Sequence, residues 1–519
     1  MSLTHQELRN RFRTFFTASG HNEISAISLV PQDDPTTLFT GSGMQQLVPY
    51  LLGKTHPLGT RLFNIQPCIR AQDIEEVGDN RHTTSFEMMG NWSLGDYFKR
   101  EQLNQIYQFL IEEMGLPAER LCATVFSGDP KNQLPADSES VTILKEIFQK
   151  YGVNAELGTR ILEYGPGKNW WSRAGTPDNM PSGEPGGPDS EIFYDFGEEL
   201  HLHENSPFKE EPCHVNCDCG RYLEIGNSVF MQYKKQSDGS FQELPKMNVD
   251  FGGGLERILT AANNDPDVFK TNVYTDIIEE IEKETGKKYD DPTNQYSMRI
   301  IADHIKGAVF LIVNGVTPSN KEQGYILRRL LRRAAVKMHA LLGGHFGHFD
   351  SIIDHGVLLT FDGVQGIDRS TQREMVMKTV SDEMDRFSKS LDRGLKIIEK
   401  IQDVDGKVAF DLYQTYGFPL EITEELLRQK GLEINRDQFY SEFRKHKEAS
   451  RASAQGKFKG GLADQSEQTV KFHTATHLVH QALHDVLGDS VRQEGSNITA
   501  ERLRFDFYAT RGPSPEDVA

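Results

Sequence analysis

The stretch NIQPCIRAQDIEEVGDNRHTTSFEMMGNWSLGDYF, residues 64–98, predicts two antiparallel strands joined by a polar loop. An apolar run carries Arg70 at its end, and a second run returns through His82 and Phe86. Such a hairpin can bring together an arginine fork for a phosphate or carboxylate, a basic side chain near the loop, His82 or Arg81, that can reach a terminal phosphate, and a flat aromatic face for a base. A surface hairpin with a core phenylalanine is the alternative.

The segments around this hairpin favour an α+β fold. Through residues 1–260, β-type runs such as EIFYDFG and SVFMQY are mixed with helical stretches, without regular βαβ alternation. That mixture is typical of an antiparallel sheet flanked by helices. Long amphipathic helices dominate residues 261–447. A small, polar, glycine-rich linker covers 448–468, and 469–519 contains one more helix and a strand-like run.

Composition and charge exclude several classes of protein. The 519 residues suffice for roughly three or four domains, and 37% are hydrophobic. The chain has no apolar run of about 18 residues and no signal-peptide core, and its five cysteines are an odd number for a disulfide scaffold. We therefore expect a cytoplasmic protein without a membrane span. The net charge of −19 argues against a general nucleic-acid coat, although local basic patches can still bind nucleic acid.

A second stretch, NVDFGGGLERI at 248–258, has three consecutive glycines. A dinucleotide fingerprint needs a third glycine at a fixed spacing, and a Walker loop ends in Gly-Lys-Ser/Thr; neither pattern follows here. On its own the stretch fits a tight turn in which the backbone passes close to another group.

The two stretches resemble motifs of the class II aminoacyl-tRNA synthetases. Arg70, the loop and His82-x-x-x-Phe86 are similar to motif 2, GGGLERI with Arg257 is similar to motif 3, and residues 28–53, with Pro31, resemble the motif 1 region. Further stretches in the family's order narrow the resemblance to the alanyl-tRNA synthetases: DPTTLFTGSGM, FEMMGNWSLGDYFK, DSEIFYD, NSVFMQY, ADHIKGAVFLIVNGVTPSNKEQGYILRRLLRRA, LYQTYGFPLEIT and FHTATHLVHQAL. The resemblance implies a class II catalytic domain over 1–260, an all-α tRNA-recognition domain over 261–447, and the start of an α/β editing domain over 469–519.

The resemblance also implies a two-step ligase reaction that uses ATP and Mg²⁺. The carboxylate of alanine attacks the α-phosphate of ATP, and the terminal ribose hydroxyl of tRNA(Ala) then takes the alanyl group. Arginines and magnesium would neutralise charge on the transferring phosphoryl group. The implied catalytic residues are Arg70 and Arg257, and the implied ATP-binding residues are Arg70, His82, Phe86 and Arg257.

The same resemblance implies a small pocket for alanine. Asp250 would hold the ammonium group, Asn227 would add a polar contact, Trp171 and Val229 would enclose the methyl group, and Gly252 would keep the floor low. A core position is the alternative for the tryptophan. Such a pocket rejects large side chains but discriminates weakly against glycine or serine, so a need for editing follows.

The stretch YILRRLLRRAAVK predicts a basic helical stripe. Arg328 with Arg332, and Arg329 with Arg333, are spaced i,i+4, which suits contact with a phosphate backbone. A solvated or acid-paired face is the alternative.

Two positions bear on the choice of tRNA. Asn320 matches the family position that reads the wobble pair of the acceptor stem, whose minor groove is wide and shallow. Gln414 departs from the family pattern, in which bacterial relatives usually carry aspartate. Because an amide donates and accepts hydrogen bonds where a carboxylate only accepts, the identity pair stays open.

The segment HLHENSPFKEEPCHVNCDCG, residues 201–220, predicts a structural zinc site. Three thiols and a histidine suit tetrahedral zinc, and the predicted ligands are His203, Cys213, Cys217 and Cys219. Free cysteines lining a loop are the alternative.

His473 and His477 resemble the first half of the family's editing site, H-x-x-x-H. The second half would lie beyond Ala519, so we expect an incomplete editing site without activity. The family's C-terminal oligomerisation domain would also lie beyond that residue, and we expect a monomer.

Two alternatives to an alanine–tRNA ligase follow from the same residues. A catalytically inactive, tRNA-binding paralogue would be favoured by loss of Arg70, Asp250 or Arg257, and all three are present. A ligase with a non-tRNA acceptor would be favoured by a missing helical region, and that region is present.

Overall fold

A mainly antiparallel sheet of nine strands forms the centre of the N-terminal half. The computed structural model describes residues 3–31, 37–402, 405–428, 430–455, 467–488, 491–498, 502–508, 513–514 and 517, with the side chains of 446–455, 467–470, 473, 477, 492–498 and 508 left out. The strands are β1 Asn22–Glu23, β2 Arg61–Ile69, β3 Ser85–Leu94, β4 Leu121–Phe126, β5 Ile161–Tyr164, β6 Trp170–Ser172, β7 Pro185–Asp195, β8 Tyr222–Lys235 and β9 Phe241–Gly254.

The strand order is β1-β2-β3-β9-β8-β7-β4-β5, and β6 pairs with β7. Only β1–β2 and β4–β5 are parallel pairs among the described strands. The fold is therefore α+β with an antiparallel sheet, as the sequence predicts.

Thirteen helices accompany the sheet in the part of the chain that the structure describes. They are α1 His5–Ala18, α2 Val48–Leu51, α3 Lys99–Gln108, α4 Ser138–Lys150, α5 Leu255–Asn263, α6 Thr275–Thr285, α7 Pro292–Val313, α8 Glu322–Leu341, α9 Arg369–Lys400, α10 Gly406–Tyr416, α11 Leu420–Arg428, α12 Arg436–Gln455 and α13 Glu467–Leu487. Helix α12 runs into the segment predicted as a linker, and residues 456–466 lie outside the described ones. The described helices include none with the length and apolar content to cross a bilayer.

Local sequence explains where these helices begin. Thr4 and Glu7 form a reciprocal capping box ahead of α1. Asp291 caps α7 and is followed by a proline at the first helical position. The buried face of α1 presents Phe12 and Phe16 to Phe63 of β2 and to Phe109, which packs the helix against the sheet.

The contacts divide the chain into two compact units, residues 1–392 and 393–519. The first unit contains the nine-stranded sheet and helices α1–α8. The second contains α10–α13 and a hairpin of β10 Arg492–Ile498 with β11 Leu503–Tyr508. The four-part division predicted from the sequence stays a prediction.

Candidate active site and metal centre

One cleft of about 310 Å³ collects the residues predicted to hold the nucleotide and the amino acid. Its walls include Arg70, His82, Phe86, Trp171, Asn227, Val229, Asp250, Gly252 and Arg257. Strand register explains part of this convergence, because Asn227 pairs with Gly252 and Val229 pairs with Asp250. Residues two apart on a strand face the same side, so these four meet on one face of the sheet.

The hairpin of β2 and β3 forms one wall of the cleft. The backbone N–H of Arg70 donates to the carbonyl oxygen of Thr84 at 3.0 Å, just beyond the last paired residues. The Arg70 guanidinium carbon lies 5.0 Å from the centre of the Phe86 ring, within cation–π range. Phe86 is half-buried and lines the cleft, so it is not a core phenylalanine.

The carboxylate of Asp79 organises the loop between these strands. It accepts hydrogen bonds from the backbone N–H groups of Arg81 and His82 at 3.0 and 2.8 Å, and lies 2.7 Å from Nδ1 of His82. Burial alone would raise the pKa of Asp79, but the hydrogen bonds and charge of His82 lower it to about 2. The loop therefore offers His82 to the cleft in a defined orientation.

The three glycines form the junction between β9 and α5, and their backbone is a strand rather than a turn. A Cβ on Gly253 would lie 2.9 Å from the carbonyl oxygen of Ile225 in β8. A Cβ on Gly252 would lie 3.0 Å from Sδ of Met88. Close approach of neighbouring groups explains Gly252 and Gly253, whereas a Cβ on Gly254 would meet nothing nearer than 3.7 Å.

Arg257 stands in the first turn of α5 and bonds to Glu224. Its NH1 lies 3.2 Å from both the carbonyl oxygen and Oε2 of Glu224. Glu224 was not predicted from the sequence, because it lies three residues from Asn227 and regular alternation would put the two side chains on opposite faces of the sheet. In the structure Ile192 of β7 pairs with Gly226 and Phe193 pairs with Glu224, so β8 has one extra residue between them. This irregularity brings Glu224 to the face that lines the cleft.

Asp250 lies on the cleft floor and receives a hydrogen bond from Nε1 of Trp92 at 2.6 Å. Enclosure in the cleft raises the pKa of Asp250 to about 7, and the indole bond opposes that rise. Trp92 belongs to the quoted hairpin but was not predicted as a site residue. Its register opposite Asp250, across β3 and β9, is visible only in the sheet.

A buried polar network lies behind Asn227. The carboxylate of Asp189 accepts a hydrogen bond from the side chain of Asn169 at 3.0 Å, and the nearby Asn227 side chain opposes the rise of its pKa. Glu191 accepts from Thr124 at 3.0 Å. Burial raises the pKa of Asp189 to about 7, while burial and the charges of Glu224 and Asp189 raise that of Glu191 to about 8. Sequence alone had not linked Asp189 to Asn227.

The apolar side of the cleft is formed by Trp171 and Val229. Val229 is buried in a cluster with Met44 and Met231, and Trp171 packs against that cluster while still lining the cleft. Trp171 is thus both a packing residue and a wall of the site.

The four arginines of α8 bond to carboxylates or backbone carbonyl oxygens of the first unit. Arg329 pairs with Glu75 at 2.7 Å, and Arg333 donates to the carbonyl oxygens of Ile74 and Val77. Arg328 and Arg332 both pair with the buried Glu383, at 3.1 and 2.6 Å. Arg329 and Arg333 are only 8% and 4% exposed, so these two positions of the predicted basic stripe are buried, and tRNA binding by the stripe stays a prediction. Periodicity could not reveal acids that come from distant segments.

Asn320 and Gln414 are both exposed and lie in different units. Asn320 precedes α8, and its side-chain oxygen accepts from Arg328. Gln414 is on α10. The side chains of His473 and His477, on α13, lie outside the described residues.

The structure brings His203, Cys213, Cys217 and Cys219 together, with their ligand atoms within 4.8 Å of one another. The Sγ atoms of Cys213 and Cys219 are 3.9 Å apart, and Sγ of Cys217 is 3.6 Å from Nδ1 of His203. Zinc–sulfur bonds of about 2.3 Å in a tetrahedron require edges of about 3.8 Å. The Nε2 of His203 is bonded to the carbonyl oxygen of Glu211 at 2.9 Å, which leaves Nδ1 free to ligate. The four residues therefore fit zinc.

Comparison with known proteins gives a consistent result. The family model of tRNA synthetases class II (A) matches residues 7–500. The chain is 44% identical to an alanine–tRNA ligase of Treponema denticola over 98% of this chain and 82% of that protein. It is 42% identical to one from Treponema pallidum, over 98% and 82%, and 41% identical to one from Borreliella afzelii, over 99% and 84%.

Proposed function

The chain belongs to the family of class II tRNA synthetases (A), and from that premise we propose how its cleft carries out the reaction of an alanine–tRNA ligase. The enzyme activates alanine with ATP and transfers the alanyl group to tRNA. The observation that carries the proposal is the convergence of the nucleotide residues and the small-amino-acid residues on one cleft.

ATP would bind with its adenine between the Phe86 ring and the Arg257 guanidinium. The Arg70 guanidinium lies over the Phe86 ring, so the base would displace it. The released guanidinium could then form a bidentate contact with the α-phosphate and the substrate carboxylate. His82, oriented by Asp79, would reach the far phosphates.

Alanine would bind at the other end of the cleft. The Asp250 carboxylate would pair with the ammonium group, and the Asn227 amide, which lines the same cleft, would add a hydrogen bond. Trp171 and Val229 would enclose the methyl group. Gly252 adds no side chain to the floor of the cleft, and Met88 lies against this glycine. The space that remains supports a small substrate.

No general base is required in the first step, because the attacking carboxylate is already ionised. Its oxygen forms a bond to the α-phosphorus as the bond to pyrophosphate breaks. Arg70 and Arg257 would stabilise the negative charge that spreads over the phosphoryl oxygens. Magnesium, when bound with ATP, would supply further charge neutralisation, and the Glu224 carboxylate beside Arg257 suits it as an oxygen ligand.

In the second step the terminal hydroxyl of tRNA attacks the alanyl carbonyl carbon, and AMP leaves. We assign acceptor-stem contact to Asn320 and Gln414, which are exposed, with Arg328 supporting Asn320. Arg332 is a weaker candidate, since it is half-buried and pairs with Glu383 at 2.6 Å. Monomeric activity is supported by a cleft that one chain completes by itself.

Structural zinc would be held by His203, Cys213, Cys217 and Cys219. The near-tetrahedral spacing and the bonded Nε2 of His203 support it. All five cysteines are free thiols in the structure, which supports a reducing compartment such as the cytoplasm.

The proposal is tested by ATP–pyrophosphate exchange with each of the twenty amino acids and no tRNA. We expect the strongest exchange with alanine and weaker signals with glycine and serine. Asp250→Asn should abolish the alanine signal while ATP still binds. Exchange with alanine, combined with no charging of tRNA(Ala) in a separate aminoacylation assay, would favour a non-tRNA acceptor, and absence of exchange would favour an inactive paralogue.

A further inference from the structure

One arginine joins the cysteine segment to the loop between β2 and β3, residues 70–84, which we call the ATP loop. We call residues 201–221 the cysteine knuckle. The Arg81 NH2 donates to the backbone carbonyl oxygen of Asp218 at 2.6 Å, and Asp218 stands between Cys217 and Cys219. Arg81 itself lies next to His82 and lines the cleft.

The contact depends on the backbone of the knuckle rather than on the Asp218 side chain. The Asp218 carboxylate is 3.9 Å from the Arg81 NH2, and its side chain is 74% exposed. A Cβ on Gly220 would lie 2.9 Å from the Arg81 NH1, so the guanidinium fits closely against the knuckle backbone. A displacement of this backbone would therefore move the arginine.

Within the ATP loop, Arg81 is also held by Asp79. Its backbone N–H donates to Asp79, and its Nε lies 3.6 Å from the Asp79 carboxylate. A guanidinium has five N–H donors, and these contacts use only part of them. The remaining donors can face a phosphate in the cleft.

The sequence already offers Arg81 as a phosphate ligand of ATP; we propose that zinc in the cysteine knuckle positions Arg81 for that contact. The proposal rests on the ligase function and on the zinc site inferred above. With zinc bound, the Cys217 and Cys219 thiolates fix the intervening Asp218 carbonyl. Without zinc, four ligand groups lose their common partner, the carbonyl is no longer fixed, and Arg81 loses its orientation.

The test is a cycle of two changes, Arg81→Ala and removal of zinc by a chelator that spares Mg²⁺. Calorimetry measures the Kd for ATP in the full chain, and metal analysis measures zinc per chain. We expect one zinc per chain in the parent protein and in Arg81→Ala. Either change alone should raise the Kd for ATP about tenfold. The two changes together should raise it no further, because each removes the same contact. The KM for alanine should change much less. Asp218→Ala is the matched control, since it keeps the carbonyl, and it should leave the Kd for ATP unchanged.

A cobalt-substituted protein gives a second readout that does not require the zinc-free chain to stay folded. Adding ATP should shift the visible spectrum of the bound cobalt in the parent protein and not in Arg81→Ala. Three outcomes would overturn the proposal. Zinc removal weakens ATP binding equally in the parent protein and in Arg81→Ala, the purified chain holds less than one zinc, or ATP shifts the cobalt spectrum in neither protein. Failure of the ligase function would appear separately, as absent alanine-dependent exchange with ATP binding intact.

Discussion

Asp250 couples the affinity for alanine to pH. Its pKa lies near 7 because the cleft desolvates it, yet only the ionised form can pair with an ammonium group. The ionised form predominates above the pKa and is lost as the pH falls through it. We therefore expect kcat/KM for alanine to fall by up to tenfold per pH unit below about 7, measured by pyrophosphate exchange between about pH 5.5 and 8.5 at saturating ATP.

Trp92→Phe is the control for this prediction. The indole N–H stabilises the charged carboxylate, so its removal should raise the pKa of Asp250 and move the fall in kcat/KM to higher pH. Asp189 also has a pKa of about 7, but the single indole N–H of Trp92 is given to Asp250. An unchanged profile in this variant would assign the pH dependence to another group.

At the scale of elements, the stability of the junction between β9 and α5 depends more on Gly253 than on Gly254. We expect Gly253→Ala to lower the free energy of unfolding by about 1–3 kcal/mol, because its Cβ would press on a backbone oxygen that cannot rotate away. Gly254→Ala is the matched substitution, since its Cβ would approach nothing nearer than 3.7 Å. It should cost less than about 1 kcal/mol in urea unfolding. Equal losses would refute this account of the junction.

The same elements show what the sequence could and could not predict. The hairpin carrying Arg70, His82 and Phe86 was predictable, because residue order along two adjacent strands determines which side chains meet. Glu224 was not, since a single irregularity in β8 reverses its face. The pairing of the α8 arginines was not predictable, because Glu383, whose single carboxylate pairs with Arg328 and Arg332, comes from α9, 51 residues beyond Arg332. Local periodicity describes one element, whereas ion pairs join distant ones.

At the scale of the first unit, the helices after α5 support the back of the ATP site. Lys306 of α7 donates to the carbonyl oxygen of Ser85 at 2.9 Å and to Glu256 at 3.2 Å, the residues just before Phe86 and Arg257. Asp303 accepts from the backbone N–H of Thr84 at 2.8 Å. The two side chains that would enclose adenine are therefore held by a helix outside the segment predicted as the catalytic domain.

This dependence predicts that the sheet and α1–α5 do not suffice. A chain of residues 1–263 lacks Lys306 and leaves Glu256 buried without that cation. Breaking a buried ion pair lowers the free energy of unfolding by about 3–5 kcal/mol. That loss is a large part of a typical total stability of about 5–15 kcal/mol. We expect this fragment to show no cooperative thermal unfolding and no pyrophosphate exchange, while residues 1–400, which end with α9, show both. Lys306→Met in the full chain keeps the helices and removes the cation with its hydrogen bonds to Ser85 and Glu256, so it should lower the melting temperature and raise the KM for ATP more than that for alanine. A fragment 1–263 with the exchange rate of 1–400 would show instead that the catalytic sheet orders Phe86 and Arg257 without the helices.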